Sequence, residues 1–291
     1  MKRRILSIII SGMMILALFP VSVFADTNEG NEAKIGDTEY ATLEEAIDAV
    51  QTNDEIFLLK DITREGKEPI QISNKFAIDF NGHSITVDKT MFQIDGYGWL
   101  ILRNVEAIQT SDDNAYGFIT DCSGMVELES TAGEGIRVKT SFIKNLKEGS
   151  GLNIDTATIL SDNYVVENTE EHTGISIMDG VYTGKSGVEG QPSLKGAVFS
   201  NVKGELTING GTYTGGWFCL GLEDGANCAI SGNSSFTSYS DAIRAYVGSD
   251  LKIDNCEVEV TGVGYCVEAD GGTVSIAAGT IIQKIMPVAI G

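Results

Sequence analysis

Short alternating strands recur along most of the chain and predict a repeating all-β fold. From residue 70 onward one unit returns, namely an apolar residue, an outward residue, an Ile or Leu, and then a turn rich in Gly, Asn and Asp. The Ile or Leu positions lie 22 to 26 residues apart, except for one step of 31. They are Ile78, Leu102, Leu128, Ile154, Ile177, Ile208, Ile230, Ile253 and Ile276. Repeats of this length are typical of solenoids.

The residue two positions before each of these is also apolar, so the two share a buried face, because alternate residues of a strand point the same way. This second set is Phe76, Leu100, Val126, Leu152, Ile175, Leu206, Cys228, Leu251 and Val274. Two further short strands complete each triangular coil, without helical periodicity between them. The pattern therefore predicts an all-β, right-handed parallel β-helix, a solenoid of about nine coils.

Two columns of outward side chains are expected from this register. The residue after each Ile or Leu gives one column, in which an arginine lies between carboxylates, as Asp79, Arg103, Glu129 and Asp155. Such a column is typical of surface ion pairs, although it also fits a carboxylate and arginine site. The strand before each unit gives an apolar stripe, as Ile119, Ile143, Val166, Phe199 and Val267.

The first residues have the pattern of a signal peptide. Basic residues at positions 2–4 precede an apolar run and the small-residue site at Ala25, so we expect residues 1–25 to be removed. Residues 26–34 are then an acidic linker, and residues 35–69 form an N-terminal cap. Residues 70–291 form the β-helix, and because residues 287–291 match the start of another coil, we expect the sequence to be truncated at its C-terminal end.

The cap is expected to be a short helix and a first strand. Thr42 and Glu45 form a capping box, and apolar residues at helical spacing follow as far as Val50. The strand at residues 56–59 leads into the first coil. Such a cap protects the edges and core of the first coil from association.

Part of the N-terminal region resembles a known family. The residues that carry the resemblance are the run 35–50 (Ile-Gly-Asp-Thr-Glu-Tyr-Ala-Thr-Leu-Glu-Glu-Ala-Ile-Asp-Ala-Val), then 53–56, 58–61 and 78–83. They look like the opening of pectate-lyase-like β-helix surface proteins of Gram-positive bacteria, over residues 35–88 by motif and over the rest by repeat pattern. The resemblance implies this architecture and a secreted or cell-surface location. It does not specify an activity, because such proteins include both adhesion modules and polysaccharide-degrading enzymes.

The composition is strongly acidic, with 41 Asp and Glu against 20 Lys and Arg. Removal of residues 1–25 leaves 17 basic side chains against 41 acidic ones, a net charge of −24. Nucleic acid is therefore excluded as an expected partner. The charge attracts cations such as calcium, but no metal site or other cofactor is indicated. After signal cleavage no segment is expected to span a membrane.

The cysteines and histidines do not indicate a catalytic or metal site. The five cysteines lack a Cys-x-x-Cys motif, so we expect most to be free and buried, with Cys219–Cys228 or Cys256–Cys266 as the pairings that an oxidising exterior would allow. The two histidines lie far apart without ligand spacing. The resemblance implies that, if the chain were an enzyme, it would degrade polysaccharides with a set of carboxylates and a basic residue. Asp112, Asp113, Asp121 and Asp241 are carboxylate candidates here, and Arg103, Arg137 and Arg244 are base candidates.

One region departs from the repeat and is the candidate binding site. The long step inserts a loop at residues 184–196, and extra loops on a rigid scaffold often carry binding functions. Aromatic and charged residues that suit stacking and hydrogen bonding to a sugar follow it. They are Tyr213, Trp217, Asp241, Arg244 and Tyr246. The alternative interpretation is structural, with Tyr182 and Tyr213 stacked at equivalent positions and Trp217 filling a corner of a coil.

Two functions are compatible with these features. The favoured one is a non-catalytic surface or secreted module, a monomeric domain of a longer chain, that binds glycans or host and matrix partners. The alternative is a polysaccharide lyase or glycoside hydrolase acting on an acidic polysaccharide. Three or more carboxylates with an arginine or lysine in one groove beside the inserted loop would favour the enzyme.

Overall fold

The computed structural model describes residues 30–110, 117–185 and 196–284, and over these it is a β-solenoid of about nine turns with one short helix. The predicted fold class is confirmed. The signal peptide, Asp112, Asp113, most of the inserted loop and the residues after 284 lie outside the described residues. No helix in the described ranges is long and apolar enough to cross a membrane.

The N-terminal cap combines three short strands with the helix. Strand β1 (Ala33–Ile35) pairs antiparallel with β2 (Thr38–Tyr40) and with β3 (Glu55–Leu58). Because β1 begins at Ala33, the last two residues of the expected linker at 26–34 belong to the cap. Helix α1 (Leu43–Ala49) lies between β2 and β3.

The capping box that the sequence predicts is present at the start of α1. The hydroxyl of Thr42 accepts a hydrogen bond from the Glu45 backbone N–H at 3.2 Å, and the Glu45 carboxylate accepts one from the Ala41 N–H at 3.1 Å. The apolar side of the helix, with Leu43 and Ile47, is buried against the first coil. The helix thus supplies the expected cover.

Three parallel strand ladders, here called face 1, face 2 and face 3, run along the solenoid. Face 1 contains β3, β6 (Lys75–Asp79), β9 (Trp99–Arg103), β12 (Met125–Val138), β14 (Gly151–Ser161), β16 (Gly174–Gly184), β18 (Glu205–Ile208), β21 (Asn227–Ile230), β24 (Asp250–Ile253) and β27 (Thr273–Ile276). Every predicted Ile or Leu position lies on this face. The residues two positions earlier pair in register from Phe76 to Val274, as predicted.

Face 2 continues from face 1 around the next corner. It contains β4 (Ile62–Arg64), β7 (Ser84–Val87), β10 (Val105–Thr110), the later parts of β12, β14 and β16, and then β19 (Thr212–Gly215), β22 (Ser235–Ser238), β25 (Glu257–Val260) and β28 (Ile281–Lys284). In β12, β14 and β16 the strand passes through the corner without a break, so these elements are longer than the others.

Face 3 is a separate sheet of nine parallel strands. It contains β5 (Ile70–Ile72), β8 (Phe92–Ile94), β11 (Gly117–Cys122), β13 (Ser141–Leu146), β15 (Tyr164–Thr169), β17 (Ala197–Val202), β20 (Leu220–Leu222), β23 (Ile243–Tyr246) and β26 (Val267–Asp270).

The predicted outward stripe on face 3 is wrong. Ile119, Ile143, Val166 and Phe199 have no exposed surface, and Val267 packs against the core. The preceding residues, such as Phe118 and Phe142, are buried too. Because two consecutive residues near the start of these strands are buried, the alternation is shifted by one position.

The outward column of face 3 is therefore polar. Its members follow from the strand register as Gln71, Gln93, Thr120, Lys144, Glu167, Ser200, Gly221, Arg244 and Glu268. Adjacent members lie about 4.8 Å apart, the spacing of paired strands. This surface can therefore present hydrogen-bonding groups at regular intervals along the solenoid.

Three asparagines and one aspartate, here called the asparagine turns, bend the chain at the second-to-last residue of four face 3 strands. Asp121, Asn145, Asn168 and Asn201 have φ between 50° and 63°, the left-handed region that asparagine and aspartate tolerate best after glycine. Their side chains are linked, since the Asn168 amide donates to Asn145 at 3.3 Å and the Asn201 amide donates to Asn168 at 2.7 Å. Stacked turns thus satisfy one another's polar groups.

An aromatic stack lines the core side of face 2. Tyr213 lies between Tyr182 and Phe236, with ring centroids 5.0 and 4.7 Å away and nearly parallel planes. The hydroxyl of Tyr213 donates a hydrogen bond to the Gly210 carbonyl at 2.7 Å. The structural interpretation of Tyr182 and Tyr213 is therefore confirmed.

All five cysteines are buried and free. The pairings Cys219–Cys228 and Cys256–Cys266 do not form, and the thiols occupy core positions, as the sequence led us to expect for most of them. Burial raises the pKa of the Cys122 and Cys219 thiols to about 12. These side chains therefore act as small apolar groups.

Replacement of Tyr213 by Ala tests the aromatic stack. We expect a loss of about 3–5 kcal/mol in the free energy of unfolding, because the change removes a large buried ring from between two others. Urea denaturation followed by circular dichroism measures this loss. Tyr97→Ala is the matched control, because Tyr97 is 90% exposed; equal effects of the two changes would contradict the stack's contribution.

A pH dependence follows from Glu44, which holds the cap. Burial raises the pKa of Glu44, but hydrogen bonds from Lys67, the backbone and Arg64 outweigh it and keep the pKa below the ordinary value of 4.5. The folded-state pKa is lower than the unfolded one, so ionised Glu44 stabilises the fold above about pH 4.5 and the contribution is lost as the pH falls through the folded value.

We therefore expect Glu44→Gln to destabilise the protein more at about pH 7 than at about pH 3. Thermal denaturation of both proteins across this range measures the difference. Glu65→Gln, an exposed carboxylate of the same cap region, is the control and should show a much smaller pH-dependent difference. A difference for Glu44→Gln that does not change with pH would contradict the assignment.

Candidate functional site

Four of the five residues that the sequence indicates come together on the outer surface of face 3. Arg244 is the centre of this group, and Trp217, Asp241 and Tyr246 contact its guanidinium. Phe218 and Glu268 complete the cluster. We call these six residues the Arg244 cluster.

Tyr213 does not belong to the cluster, and its expected contact with a ligand is contradicted. The side chain is fully buried in the aromatic stack and its hydroxyl is bonded to the backbone. Tyr213 and Trp217 are close in sequence, but the chain turns a corner between them. The sequence alone does not show that Tyr213 points into the core while Trp217 points to the surface.

Strand β23 positions two side chains of the cluster. Arg244 and Tyr246 alternate with Ile243 and Ala245, which have no exposed surface, so the first pair must point outward. The Tyr246 hydroxyl accepts a hydrogen bond from Nη1 of Arg244 at 3.2 Å. The rigid sheet therefore orients the guanidinium.

Asp241 fixes the other side of the guanidinium from the bend before β23. Its Oδ2 accepts hydrogen bonds from Nε of Arg244, at 2.8 Å, and from Nη2. Its Oδ1 accepts a hydrogen bond from the Tyr265 backbone N–H at 2.7 Å. A side chain at Gly264 would collide with Oδ1 of Asp241, so glycine there allows the next turn to close over the carboxylate.

The aromatic residues come from the connection between β19 and β20. The Trp217 N–H donates to the Gly196 carbonyl at 2.9 Å, which places the tryptophan directly beside the end of the inserted loop. The Phe218 ring lies over Gly221, where an added Cβ would be 2.9 Å from a ring carbon. Gly221 is the strand neighbour of Arg244, so the missing side chain makes room for the ring. Both ring centroids lie 5.5 Å from Cζ of Arg244.

The electrostatics of the cluster hold Arg244 in its charged form. Partial burial lowers the pKa of Arg244, but hydrogen bonds and charge interactions with Asp241 and Tyr246 outweigh it and raise the pKa. Glu268 adds a second carboxylate at 3.3 Å from Nε. One cation therefore faces two anions, and the cluster has a formal charge of −1.

Arg244 keeps donors available despite these contacts. A guanidinium has five N–H groups, and the hydrogen bonds in the described residues use one on each of its three nitrogens. Arg244 is 19% exposed and Trp217 is 41% exposed. The cluster thus offers an exposed ring beside oriented donors, a combination that can stack on and hydrogen-bond a sugar.

The second arginine indicated by the sequence is a surface ion pair. Arg103 donates two hydrogen bonds of 2.8 Å to Glu129 and one of 2.7 Å to Glu55. The prediction of an arginine between two carboxylates is confirmed, but Glu55 takes the place of Asp79. Asp79 instead accepts hydrogen bonds from the Asn81 backbone N–H and the Asn104 side-chain amide. The contacts of Arg103 use one N–H on each guanidinium nitrogen, and they link Arg103 to carboxylates of two other coils.

The other candidates for chemistry are dispersed. Asp121 belongs to the asparagine turns and lies 3.5 Å from Lys147, and Arg137 pairs with Glu134 at 3.4 Å on the exposed surface. His83 and His172 pair with different carboxylates. Across the described ranges no group of three or more His, Cys, Asp or Glu side chains is arranged to hold a metal ion.

Comparison with protein-family models, with curated proteins and with solved structures found no match. The resemblance of residues 35–88 to surface proteins of Gram-positive bacteria therefore stays a prediction from the sequence.

Replacement of Asp241 tests the cluster's internal contacts. Asp241→Ala should lower the free energy of unfolding by about 2–3 kcal/mol, because it leaves a half-buried guanidinium and the Tyr265 N–H without their acceptor. Glu268→Ala is the matched control, since its more exposed carboxylate should contribute less than about 1 kcal/mol. Urea denaturation compares the two, and a larger effect at Glu268 would contradict this geometry.

Proposed function

We propose that the chain is a secreted or cell-surface module of a Gram-positive bacterium that binds glycans without catalysis through the Arg244 cluster. The observation that carries the proposal is the exposed indole of Trp217 beside a guanidinium held by Asp241 and Tyr246. Sugar rings present apolar C–H faces and polar edges, so an aromatic ring with fixed donors beside it suits them.

Two features favour binding over catalysis. Asp241 uses both oxygens in hydrogen bonds to Arg244 and to the backbone, which leaves it poorly placed to activate water or to take up a proton. Arg244 is held protonated by its neighbours and is not a base. Within the described residues, the cluster has two carboxylates, fewer than the three that would have favoured the enzyme.

Rigidity of the site also supports the proposal. Arg244 and Tyr246 lie on a strand whose neighbours β20 and β26 are both paired with it, so little conformational entropy is lost when a ligand binds. The signal-peptide pattern at residues 1–25 supports a location outside the cell, where such a module meets polysaccharides.

Trp217→Ala is the direct test. We expect the dissociation constant of a bound glycan to rise about tenfold, because the stacking surface is lost while the fold is retained. A glycan array of neutral and acidic saccharides identifies the ligand, and isothermal titration calorimetry measures its affinity. Tyr97→Ala is the matched control, because it removes an exposed aromatic ring from a distant turn. Equal affinity of wild type and Trp217→Ala would overturn the proposal.

A further inference from the structure

A second polar groove lies on face 3, away from the Arg244 cluster. Its volume is about 420 Å³, and it is lined by Gln93, Thr120 and Lys144 of three successive strands and by Lys89 and Thr90 just before β8. Gln93, Thr120 and Lys144 are consecutive members of the outward column. The groove therefore runs along the solenoid, across β8, β11 and β13.

The buried hydroxyl of Thr90 is the main evidence that this groove binds a ligand. The residue is only 4% exposed, and among the described residues its Oγ1 has no hydrogen-bond partner. Buried polar groups nearly always have a partner, because an unpaired one loses its hydration without compensation. An unpaired hydroxyl in the lining of a groove is explained when a bound molecule supplies the missing partner.

Further donors surround Thr90. Oε1 of Gln93 accepts a hydrogen bond from Gln71 at 2.6 Å, so the Gln93 amide is oriented, and its N–H₂ group has no partner among the described residues. Lys89 makes no ion pair within the same ranges. Lys89, Thr90 and Gln93 thus offer three donors to one groove from a single turn of the solenoid, which suits a hydroxylated ligand.

The charge of the groove limits the ligand class. Lys89 and Lys144 are balanced by Glu68 and Asp121, which line the same groove. The lining is therefore neutral within a chain of net charge −21. An acidic polysaccharide would gain no local attraction here and would be repelled by the rest of the surface.

We propose that this groove is a second saccharide site, which binds an uncharged oligosaccharide of two or three rings along the solenoid axis. Strand spacing of about 4.8 Å places one outward residue beside each successive ring. The groove and the Arg244 cluster are centred on β11 and β23, five strand steps apart, or about 24 Å. A trisaccharide cannot reach both, so the groove goes beyond the proposed function and does not depend on it.

Two substitutions in the full chain test the groove. Thr90→Val keeps the shape and removes the hydroxyl, and Gln93→Ala removes the amide. Each should weaken binding of a neutral trisaccharide to this site about five- to tenfold. Thr90→Val should leave the unfolding midpoint unchanged or raise it, because a buried hydroxyl without a protein partner is removed. Thr207→Val on the exposed side of face 1 is the matched control and should change nothing.

The probes are trisaccharides of β-glucan, mannan and chitin, with trigalacturonate as the acidic comparison, measured by calorimetry. Tighter binding of trigalacturonate than of every neutral probe would overturn the inference, and so would affinity that neither variant changes. If only Trp217→Ala reduces binding, saccharide binding in the groove is contradicted and the proposed function is supported. If only Thr90→Val and Gln93→Ala reduce binding, saccharide binding in the groove is supported and glycan binding by the Arg244 cluster is contradicted. No binding by any probe at concentrations on the order of 10 mM contradicts both.

Discussion

In-register pairing of each coil with the next is the constraint on which the rest of the structure depends. Parallel strands bond to the same position one turn later, so a residue type at a given position must suit an identical or similar neighbour about 4.8 Å away. Apolar columns fill the interior for this reason, and Tyr182, Tyr213 and Phe236 can stack because their strands are in register. The asparagine turns satisfy one another by the same geometry.

Stacking has a cost in an acidic protein, because outward carboxylates are brought close together. The structure meets this cost by placing cations between them. Arg103 links Glu55 to Glu129 across coils, and Arg244 lies between Asp241 and Glu268. The two arginines differ in their surroundings: Arg103 bonds to carboxylates alone, whereas Arg244 also lies beside an exposed indole. The same electrostatic need therefore produces a structural link at Arg103 and a candidate binding surface at Arg244.

The candidate sites arise where the repeat is interrupted. Gly221 lacks a side chain in the outward column, and this allows Phe218 to lie against the sheet beside Arg244. The bend at Asp241 turns a carboxylate back onto the same guanidinium. In the other region, Thr90 lies at the entrance to β8, where the chain turns into face 3. On a repetitive scaffold we therefore expect functional sites at the corners between faces and where a side chain is missing from a column. The regular positions mainly serve packing between coils.

The sequence by itself determined the solenoid, its face 1 register and the capping box at Thr42, whereas only the structure showed that all five cysteines are free. The solenoid, the register and the capping box follow from local rules, because a period-two pattern and a recurring turn are written directly in the chain. The sequence also indicated Trp217, Asp241, Arg244 and Tyr246 as candidates, since these aromatic and charged residues follow the inserted loop. Only the tertiary structure decided which residues of face 3 point outward, because two consecutive residues near the start of its strands are buried and shift the alternation. The structure also decided that Tyr213 of β19, on face 2, points into the core. The groove at Thr90 had no sequence signal at all, since its lining residues are ordinary polar positions that only the stacking of separate coils brings together.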